Sequence, residues 1–240
     1  MNRGTYKDET IYSEYLKEEI PFQVYLPYNY SPLYKYSFLI ANDGSDYFKL
    51  GRLGRTADEL IENDEIEELI IVGIPYKSVE DRWRKYHPDG EQSDDYLRFL
   101  ANELVPYLDE EYATYHLGYG RGLIGDSLAA TVALRAALDY PRTFGRAILH
   151  SPYVDEAIMN QVKGFREPEL LSLYHIIGKE ETEVPTTDGK TKNFIEPNRA
   201  LNKIINEKEF DYFYDEFEGG HLWKNWQPDM KRSLLHMFKL

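Results

Sequence analysis

Cysteine is absent from the 240 residues of this chain. Its absence excludes disulfides, thiolate metal sites and a cysteine nucleophile. Basic residues are also few, since 28 lysines and arginines stand against 42 aspartates and glutamates, for a formal charge of -14. Binding to phosphates requires clustered positive charge, so we expect neither nucleic acid nor an anionic membrane surface as a partner.

Long apolar runs are missing as well. No run approaches the roughly 20 residues that would span a bilayer. The N-terminal segment MNRGTYKDETIYSEYLKEE is charged and lacks the apolar centre of a secretory signal. We therefore expect a soluble, cytoplasmic protein. The chain length favours a single domain over residues 1–240 rather than two domains with a linker.

Short apolar runs rich in β-branched and aromatic residues alternate with helical patterns. The predicted strands are FQVYLP from Phe22, YSFLIAN from Tyr36, ELIIVGIP from Glu68, GLIGD from Gly122, RAILHS from Arg146, LYHIIG from Leu173 and FYDEF from Phe213. The predicted helices are RTADELIEN, DDYLRFLANELVPYLDEEY, SLAATVALRAAL and PDMKRSLLHMFKL. Several strands are apolar on both faces, which is typical of a parallel sheet covered by helices on both sides. The sequence therefore predicts a doubly wound α/β fold whose site lies at the carboxyl ends of the strands.

The segment LIGDSLAATVALRAAL, from Leu123, passes from a strand to a helix at Ser127. Its GDSLA core matches the pattern G-x-S-x-G except that Ala129 replaces the second glycine. Small residues on both sides allow a tight strand-to-helix turn that projects the serine hydroxyl into a cleft. Ser127 is therefore either a nucleophile or an N-cap of the helix.

A serine nucleophile needs a histidine base that is oriented by a carboxylate. In hydrolases of this fold the chain order is serine, acid, histidine. His221 follows Gly219 and Gly220 after the last predicted strand, so it fits the last place in that order. The polar segment KEETEVPTTDGKTKN, which we predict to be a loop, supplies the candidate acids Glu180, Glu181, Glu183 and Asp188. No pair of histidines has metal-ligand spacing, and we expect neither a metal nor a cofactor.

Four segments together resemble the putative-esterase branch of the α/β hydrolases. They are LIANDGSDYF, VGIPYKSVEDRWRKYHP, GDSLAA and GGHLWKNW. This branch includes enterochelin esterases, feruloyl esterases, S-formylglutathione hydrolases and mycolyltransferases. The resemblance runs from about Phe22 to the end of the chain, and it implies a three-layer α/β-hydrolase fold with a mostly parallel central sheet.

The resemblance also implies roles for individual residues. Ser127 would be the nucleophile, His221 the general base and Glu181 the acid, because the family acid often lies three residues after a glycine such as Gly178. The oxyanion would be bound by the backbone N–H groups of Leu128 and Ser45. Two positions depart from the family pattern: Ala129 replaces a glycine, and Leu222 stands where an aspartate is frequent.

The implied activity is hydrolysis of a carboxylic ester through an acyl-enzyme, with a small or aromatic acyl ester or a siderophore-like ester as substrate. Residues predicted to contact this substrate are Tyr47, Arg82, Tyr153 and Trp223. A chain with 21 tyrosines also places some of them in loops without any functional reason. Three alternatives stay open: a non-catalytic binding or scaffold protein with this fold, an acyltransferase and a peptidase using the same residues. The oligomeric state is also open, with a homodimer as one candidate.

Overall fold

The central element is one large sheet. The computed structural model describes residues 2–186 and 189–240. The strands within these residues are β1 (Thr5–Ser13), β2 (Glu18–Leu26), β3 (Ser37–Asn42), β4 (Leu69–Ile74), β5 (Arg121–Asp126), β6 (Arg146–His150), β7 (Ser172–Gly178), β8 (Val184–Pro185), β9 (Thr191–Lys192) and β10 (Asp211–Phe217). The large sheet has eight strands in the order β1-β2-β4-β3-β5-β6-β7-β10, and β8 pairs with β9 in a separate ribbon. Only β1–β2 and β2–β4 are antiparallel pairs in the large sheet, so it is mostly parallel, as predicted.

Helices cover both faces of this sheet. They are α1 (Gly44–Lys49), α2 (Leu53–Glu62), α3 (Val79–Tyr86), α4 (Ser93–Phe99), α5 (Val105–Glu111), α6 (Leu128–Asp139), α7 (Glu156–Gly164), α8 (Ile195–Asn206), α9 (Trp223–Trp226) and α10 (Met230–Phe238). A π-helical turn, Leu100–Leu104, joins α4 to α5. None of the helices in the described part of the chain has the length and apolarity needed to cross a membrane.

Two large apolar clusters lie on opposite sides of the sheet. Helices α3 to α8 contribute to one cluster, and α1, α2, α9 and α10 contribute to the other. Along β3, Phe38 and Ile40 belong to the first cluster, whereas Leu39 and Ala41 belong to the second. Successive side chains of a strand point to opposite faces, so a strand between two helical layers is apolar at every position. The molecule therefore has the three layers that the resemblance implied.

The structure also contains elements that the sequence patterns did not predict. Strand β1 is an edge strand, and its side chains are mostly exposed, so it carries no continuous apolar signal. Helices α3, α7 and α8 each bury only a narrow stripe of side chains. Within the segment predicted to be a loop after Gly178, β8 and β9 form a short ribbon.

The parallel strands place the candidate functional residues at one edge of the sheet. Ser127 follows β5, Glu181 lies three residues after the end of β7, and His221 follows β10. Ser45 lies at the start of α1, directly after β3. Because the carboxyl ends of parallel strands meet at the same edge, residues distant in sequence come together there.

Candidate active site

Ser127 lies in a strained turn between β5 and α6. Its backbone has φ 54° and ψ −123°, a conformation that residues other than glycine rarely adopt. Ser127 stands at the N-cap position of α6, but its side chain makes no capping hydrogen bond. The turn is held by its backbone instead, because Ser127 N–H donates to the carbonyl of His150 at 2.9 Å. The geometry is thus that of a nucleophile elbow rather than of a simple helix cap.

The small residues around Ser127 are required by close packing. A Cβ atom at Gly125 would lie 2.2 Å from the backbone of Ala129, so no larger residue fits there. Ala129 itself is fully buried in the first turn of α6. Its methyl group is accommodated at the position where the family usually has glycine.

His221 and Glu181 form a direct hydrogen-bonded pair. The distance from His221 Nδ1 to Glu181 Oε2 is 2.7 Å. The Glu181 side chain is completely buried, whereas that of His221 is 16% exposed. The imidazole packs between the rings of Phe194 and Trp226, with centroid distances of 4.6 and 4.8 Å. The carboxylate and two aromatic rings therefore fix the orientation of the imidazole.

The second carboxylate oxygen of Glu181 is held by two further hydrogen bonds. Glu181 Oε1 accepts hydrogen bonds from Ser151 Oγ at 2.6 Å and from the N–H of Gly178 at 2.9 Å. Ser151 is held in turn by Trp226, whose indole N–H donates to Ser151 Oγ at 3.0 Å. Ser151 has a positive φ of 49° and directly follows β6. A buried carboxylate needs such donors, since without them its desolvation would be costly.

The loop that carries Glu181 is joined to the loop that carries His221 by backbone hydrogen bonds. Glu180 N–H donates to the carbonyl of Gly219 at 3.0 Å. This contact extends the parallel pairing of β7 and β10, which ends at Gly178 and Phe217. The structure brings Glu181, among the candidate acids, to His221.

The other candidate acids lie differently. Glu180 and Glu183 are exposed to solvent. Asp188 lies outside the described residues. Among the candidate acids that the structure describes, Glu181 is the one paired with the histidine.

A small pocket opens beside Ser127. Its lining residues are Arg82, Trp83, His87, Ser127, Leu128, Tyr153, Thr186, Lys192 and Phe194. Phe194 connects this pocket to the histidine, since it also packs against His221. Within the described part of the chain, no hydrogen bond joins Ser127 Oγ to the His221 ring, and such contacts are commonly long before a substrate binds.

The two residues predicted to donate to the oxyanion start helices. Leu128 is the first residue of α6 and Ser45 the second residue of α1. The first N–H groups of a helix have no acceptor within the helix, so they can bind an external oxygen. Leu128 lines the pocket with Ser127, whereas Ser45 lines a separate groove together with Phe48 and Gly73.

The four residues predicted to contact substrate divide into two pairs. Arg82 and Tyr153 line the pocket, and the structure does not bring Tyr47 or Trp223 into it. Tyr47 is fully buried, and its hydroxyl lies 2.9 Å from His150 Nδ1. Trp223 packs edge-on against Tyr47 at a centroid distance of 4.9 Å. Tyr47 is buried because it lies on the face of α1 that packs into the core. The sequence patterns did not predict this helix.

Several residues of the site carry no recognisable signal in the sequence. No motif marks His87, yet its ring lies between those of Trp83 and Tyr153, with centroid distances of 4.9 and 5.1 Å. Phe194 and Ser151 likewise lie in segments without a motif. The spacing of Trp83 and His87 on one helical turn was the sole hint, since residues four apart share a face.

Burial shifts the pKa values of groups near Ser127. Burial raises the pKa of the Asp126 carboxyl well above its ordinary value, and the nearby charge of Asp43 raises it further. Burial likewise raises the pKa of the Tyr47 hydroxyl. The buried ring of His175, by contrast, has its pKa lowered to about 4 by burial, as suits a neutral core histidine. Within residues 2–186 and 189–240, no three histidine, aspartate or glutamate side chains are grouped as metal ligands.

Comparisons with known proteins agree with this architecture. The model of the family described as "Putative esterase" matches residues 13–237. A Bacillus subtilis (strain 168) protein named "Uncharacterized protein YjcH" is 51% identical over 234 residues, covering 98% of each chain.

Two solved structures show the same fold at low sequence identity. A ferulic acid esterase superimposes with a TM-score of 0.82 at 16% identity, covering 99% of this chain and 98% of that one. The enterobactin esterase FES from Shigella flexneri, solved in the presence of enterobactin, has a TM-score of 0.84 at 16% identity. The match covers 99% of this chain and 59% of the Shigella protein.

The family match and the 51% identical relative each extend over nearly the whole chain. The likeness to the two esterase structures independently shows the three-layer fold. Family membership supports hydrolysis of carboxylic esters as the chemistry of this site. The chain belongs to the putative esterase family of the α/β hydrolases.

Proposed function

We propose that this protein is a serine hydrolase that cleaves carboxylic esters through an acyl-enzyme formed on Ser127. The observation that carries the proposal is the arrangement around Glu181. One oxygen of this fully buried carboxylate is 2.7 Å from His221 Nδ1, and the other accepts two hydrogen bonds. A carboxylate held in this way fixes the tautomer of the histidine that acts as base.

In the first step His221 Nε2 accepts the proton of Ser127 Oγ as that oxygen attacks the ester carbonyl. The N–H groups of Ser45 and Leu128 stabilise the resulting oxyanion, and one such donor contributes about 3 to 4 kcal/mol in studied hydrolases. The imidazolium then gives its proton to the leaving alcohol as the ester C–O bond breaks. Water repeats the same steps on the acyl-enzyme and releases the acid and free Ser127.

The pocket supports a small acyl group or a planar aromatic one. Trp83, His87 and Tyr153 form a continuous aromatic wall, because the His87 ring contacts both of its neighbours. Phe194 extends this wall, with its ring centroid 6.1 Å from that of Tyr153. Offset aromatic contacts of this kind recognise a flat ring. Aryl esters should therefore be better substrates than long-chain aliphatic esters.

The test is labelling by a fluorophosphonate probe, with the adduct located by mass spectrometry. We expect the wild-type protein to be labelled on Ser127 and the Ser127→Ala variant to be unlabelled and inactive on an aryl ester. Ser172→Ala is the matched control, since Ser172 lies at the opposite end of the sheet and bonds to Asp211. This control should keep both labelling and turnover. Substantial turnover in a folded Ser127→Ala variant would remove the proposed nucleophile.

A further inference from the structure

The two turns that carry the proposed oxyanion donors lie on neighbouring strands that separate at their ends. Strands β3 and β5 are paired only as far as Ala41 and Ile124. Beyond this point β3 stays paired with β4 to Asn42, and β5 stays paired with β6 to Asp126. The pairing of β3 and β5 therefore does not fix the distance between the two turns.

The side chain of Arg82 crosses this gap from α3. Its Nε donates to Asp43 Oδ2 at 2.7 Å, and its Nη2 donates to the backbone carbonyl of Asp126 at 3.1 Å. The Arg82 and Asp43 side chains are only 12% and 3% exposed. Ser45 lies two residues after Asp43, and Leu128 lies two residues after Asp126. One guanidinium therefore contacts both turns at equivalent positions.

The turn after β3 depends on this contact. Asp43 has a φ of 58°, in the left-handed region, and stands at the N-cap of α1 without a capping hydrogen bond from its side chain. Its carboxylate bonds to Arg82 instead. The next residue, Gly44, packs closely against β4, since a Cβ atom there would lie 2.2 Å from the backbone of Gly73. Two unusual backbone conformations, at Asp43 and Ser127, are thus linked through one side chain.

The charges around Arg82 favour internal contacts over a bound anion. Burial raises the pKa of the Asp43 carboxyl, whereas the Arg82 charge lowers it. The Asp126 carboxyl is also buried, and its Oδ1 has no hydrogen-bond partner among the described residues. The guanidinium further lies over the rings of Tyr76 and Tyr86, at 5.8 and 5.7 Å from their centroids. The Arg82 guanidinium thus makes its contacts with groups of the protein itself, even though its side chain borders the pocket.

We propose that Arg82 is a positioning residue whose guanidinium sets the spacing between the segments that present the Ser45 and Leu128 N–H groups. This inference rests on the proposed function. It predicts that Arg82 acts on stabilisation of the oxyanion and not on the affinity for the ground-state ester. A planar guanidinium can contact both turns at once, whereas a lysine ammonium is a single point charge on a flexible chain.

The first test is steady-state hydrolysis of an aryl ester by Arg82→Lys. We expect kcat to fall about 100-fold, since a misplacement near 1 Å or the loss of one oxyanion donor has that effect. KM should change by less than about threefold, because interactions made only in the transition state do not alter ground-state binding. The matched control is Arg84→Lys, since Arg84 lies on the same helix, is partly exposed and pairs with Glu91. This control should keep wild-type kinetics.

The second test uses an aryl trifluoromethyl ketone, which forms a tetrahedral oxyanion adduct with the serine. Its affinity for Arg82→Lys should fall by the same factor as kcat/KM, because the adduct uses the same two N–H groups. A third variant, Arg82→Ala, should regain part of its kcat when free guanidinium chloride is added at non-denaturing concentration. Circular dichroism of every variant confirms that the folded protein is compared.

Two results would overturn the proposal. One is a rise in KM with kcat retained in Arg82→Lys, which would make Arg82 a substrate contact. The other is wild-type kinetics in Arg82→Lys, which would show that the turns hold their spacing without it. Failure of the proposed function itself would look different, because turnover and labelling would then be the same in the wild-type and Ser127→Ala proteins.

Discussion

Two histidine–carboxylate pairs lie at the carboxyl edge of the sheet, and their surroundings differ. His221 and Glu181 are 2.7 Å apart with a hydrogen bond between them. His150 Nε2 and Asp229 Oδ2 are 3.4 Å apart, which is within ion-pair distance but too long for a good hydrogen bond. Both pairs have a buried carboxylate. The two distances alone do not explain why the pairs would have different roles.

The surroundings of the two histidines distinguish the pairs. The His150 side chain has no solvent exposure, and its Nδ1 faces the buried Tyr47 hydroxyl at 2.9 Å. The Asp229 carboxylate also accepts hydrogen bonds from the Tyr174 hydroxyl at 2.9 Å and from Arg232 Nε at 2.8 Å. His150 therefore faces protein groups through both ring nitrogens. His221 directs one nitrogen to Glu181 and packs against Phe194, which lines the Ser127 pocket.

A histidine base needs one ring nitrogen held by a carboxylate and the other free to face the reacting groups, and of these two histidines His221 has the arrangement that fits this requirement. The pair formed by His150 and Asp229 lies among buried protein groups, so we expect it to contribute to folding. For the pair formed by His221 and Glu181 we propose a role in chemistry. Substitutions at Glu181, His150 and Asp229 would separate the roles of the two pairs.

The largest effect is expected for Glu181→Gln. The amide keeps the shape of the side chain but favours the wrong tautomer of His221, so kcat should fall by about 10⁴ with KM little changed. Ester hydrolysis by the purified variant measures this. Glu180→Gln is the matched control, since Glu180 is the exposed neighbour and another candidate acid. Full activity in Glu181→Gln together with a loss in Glu180→Gln would reassign the acid.

His150→Leu should lower stability and leave catalysis largely intact. The change leaves the buried Tyr47 hydroxyl without its partner and removes one of the groups around Asp229, at a cost of about 1 to 3 kcal/mol in the free energy of unfolding. Urea denaturation measures this cost, and kcat of the folded protein should stay within about threefold of wild type. The exposed His116 provides the control variant His116→Gln. A collapse of kcat with stability unchanged would place His150 in the catalytic machinery.

The smallest effect concerns acid stability and Asp229. Burial opposes ionisation of this carboxyl, but the nearby His150 ring, the charge of Arg232 and the hydrogen bond from Tyr174 lower its pKa below the ordinary 3.8. Its contribution to stability is therefore present above about pH 3.8 and is lost as the pH falls through the lower folded value. Urea denaturation at pH 7 and pH 3 should show a smaller acid-induced loss in Asp229→Asn than in wild type. Asp64→Asn, at an exposed position, should lose as much as wild type.

Much of the fold was predictable because its signals are local. Strands β3 to β7 are buried at nearly every position, and the short apolar runs at their centres are visible in the sequence itself. The exposed edge strand β1 and the partly buried helices α7 and α8 were not predicted, since their packing is decided by neighbours elsewhere in the chain. Pattern-based prediction is weakest where burial is partial.

The candidate site likewise combines features that the sequence predicts with features that it does not. The sequence by itself determined the Gly125 to Ala129 turn around Ser127, the order of serine, acid and histidine, and the glycine-rich loop before His221. These features depend on residue size and chain order, which are local properties.

Only the tertiary structure decided what holds the carboxylate beside the histidine. Residue type alone does not separate Glu180, Glu181 and Glu183; the family resemblance favoured Glu181, and the structure places that side chain against His221. Ser151 lies 30 residues from Glu181 and His221 lies 40 residues from it, yet each of them bonds to one of its two carboxylate oxygens. Contacts over such separations depend on how the sheet brings its strands together, so no local pattern encodes them.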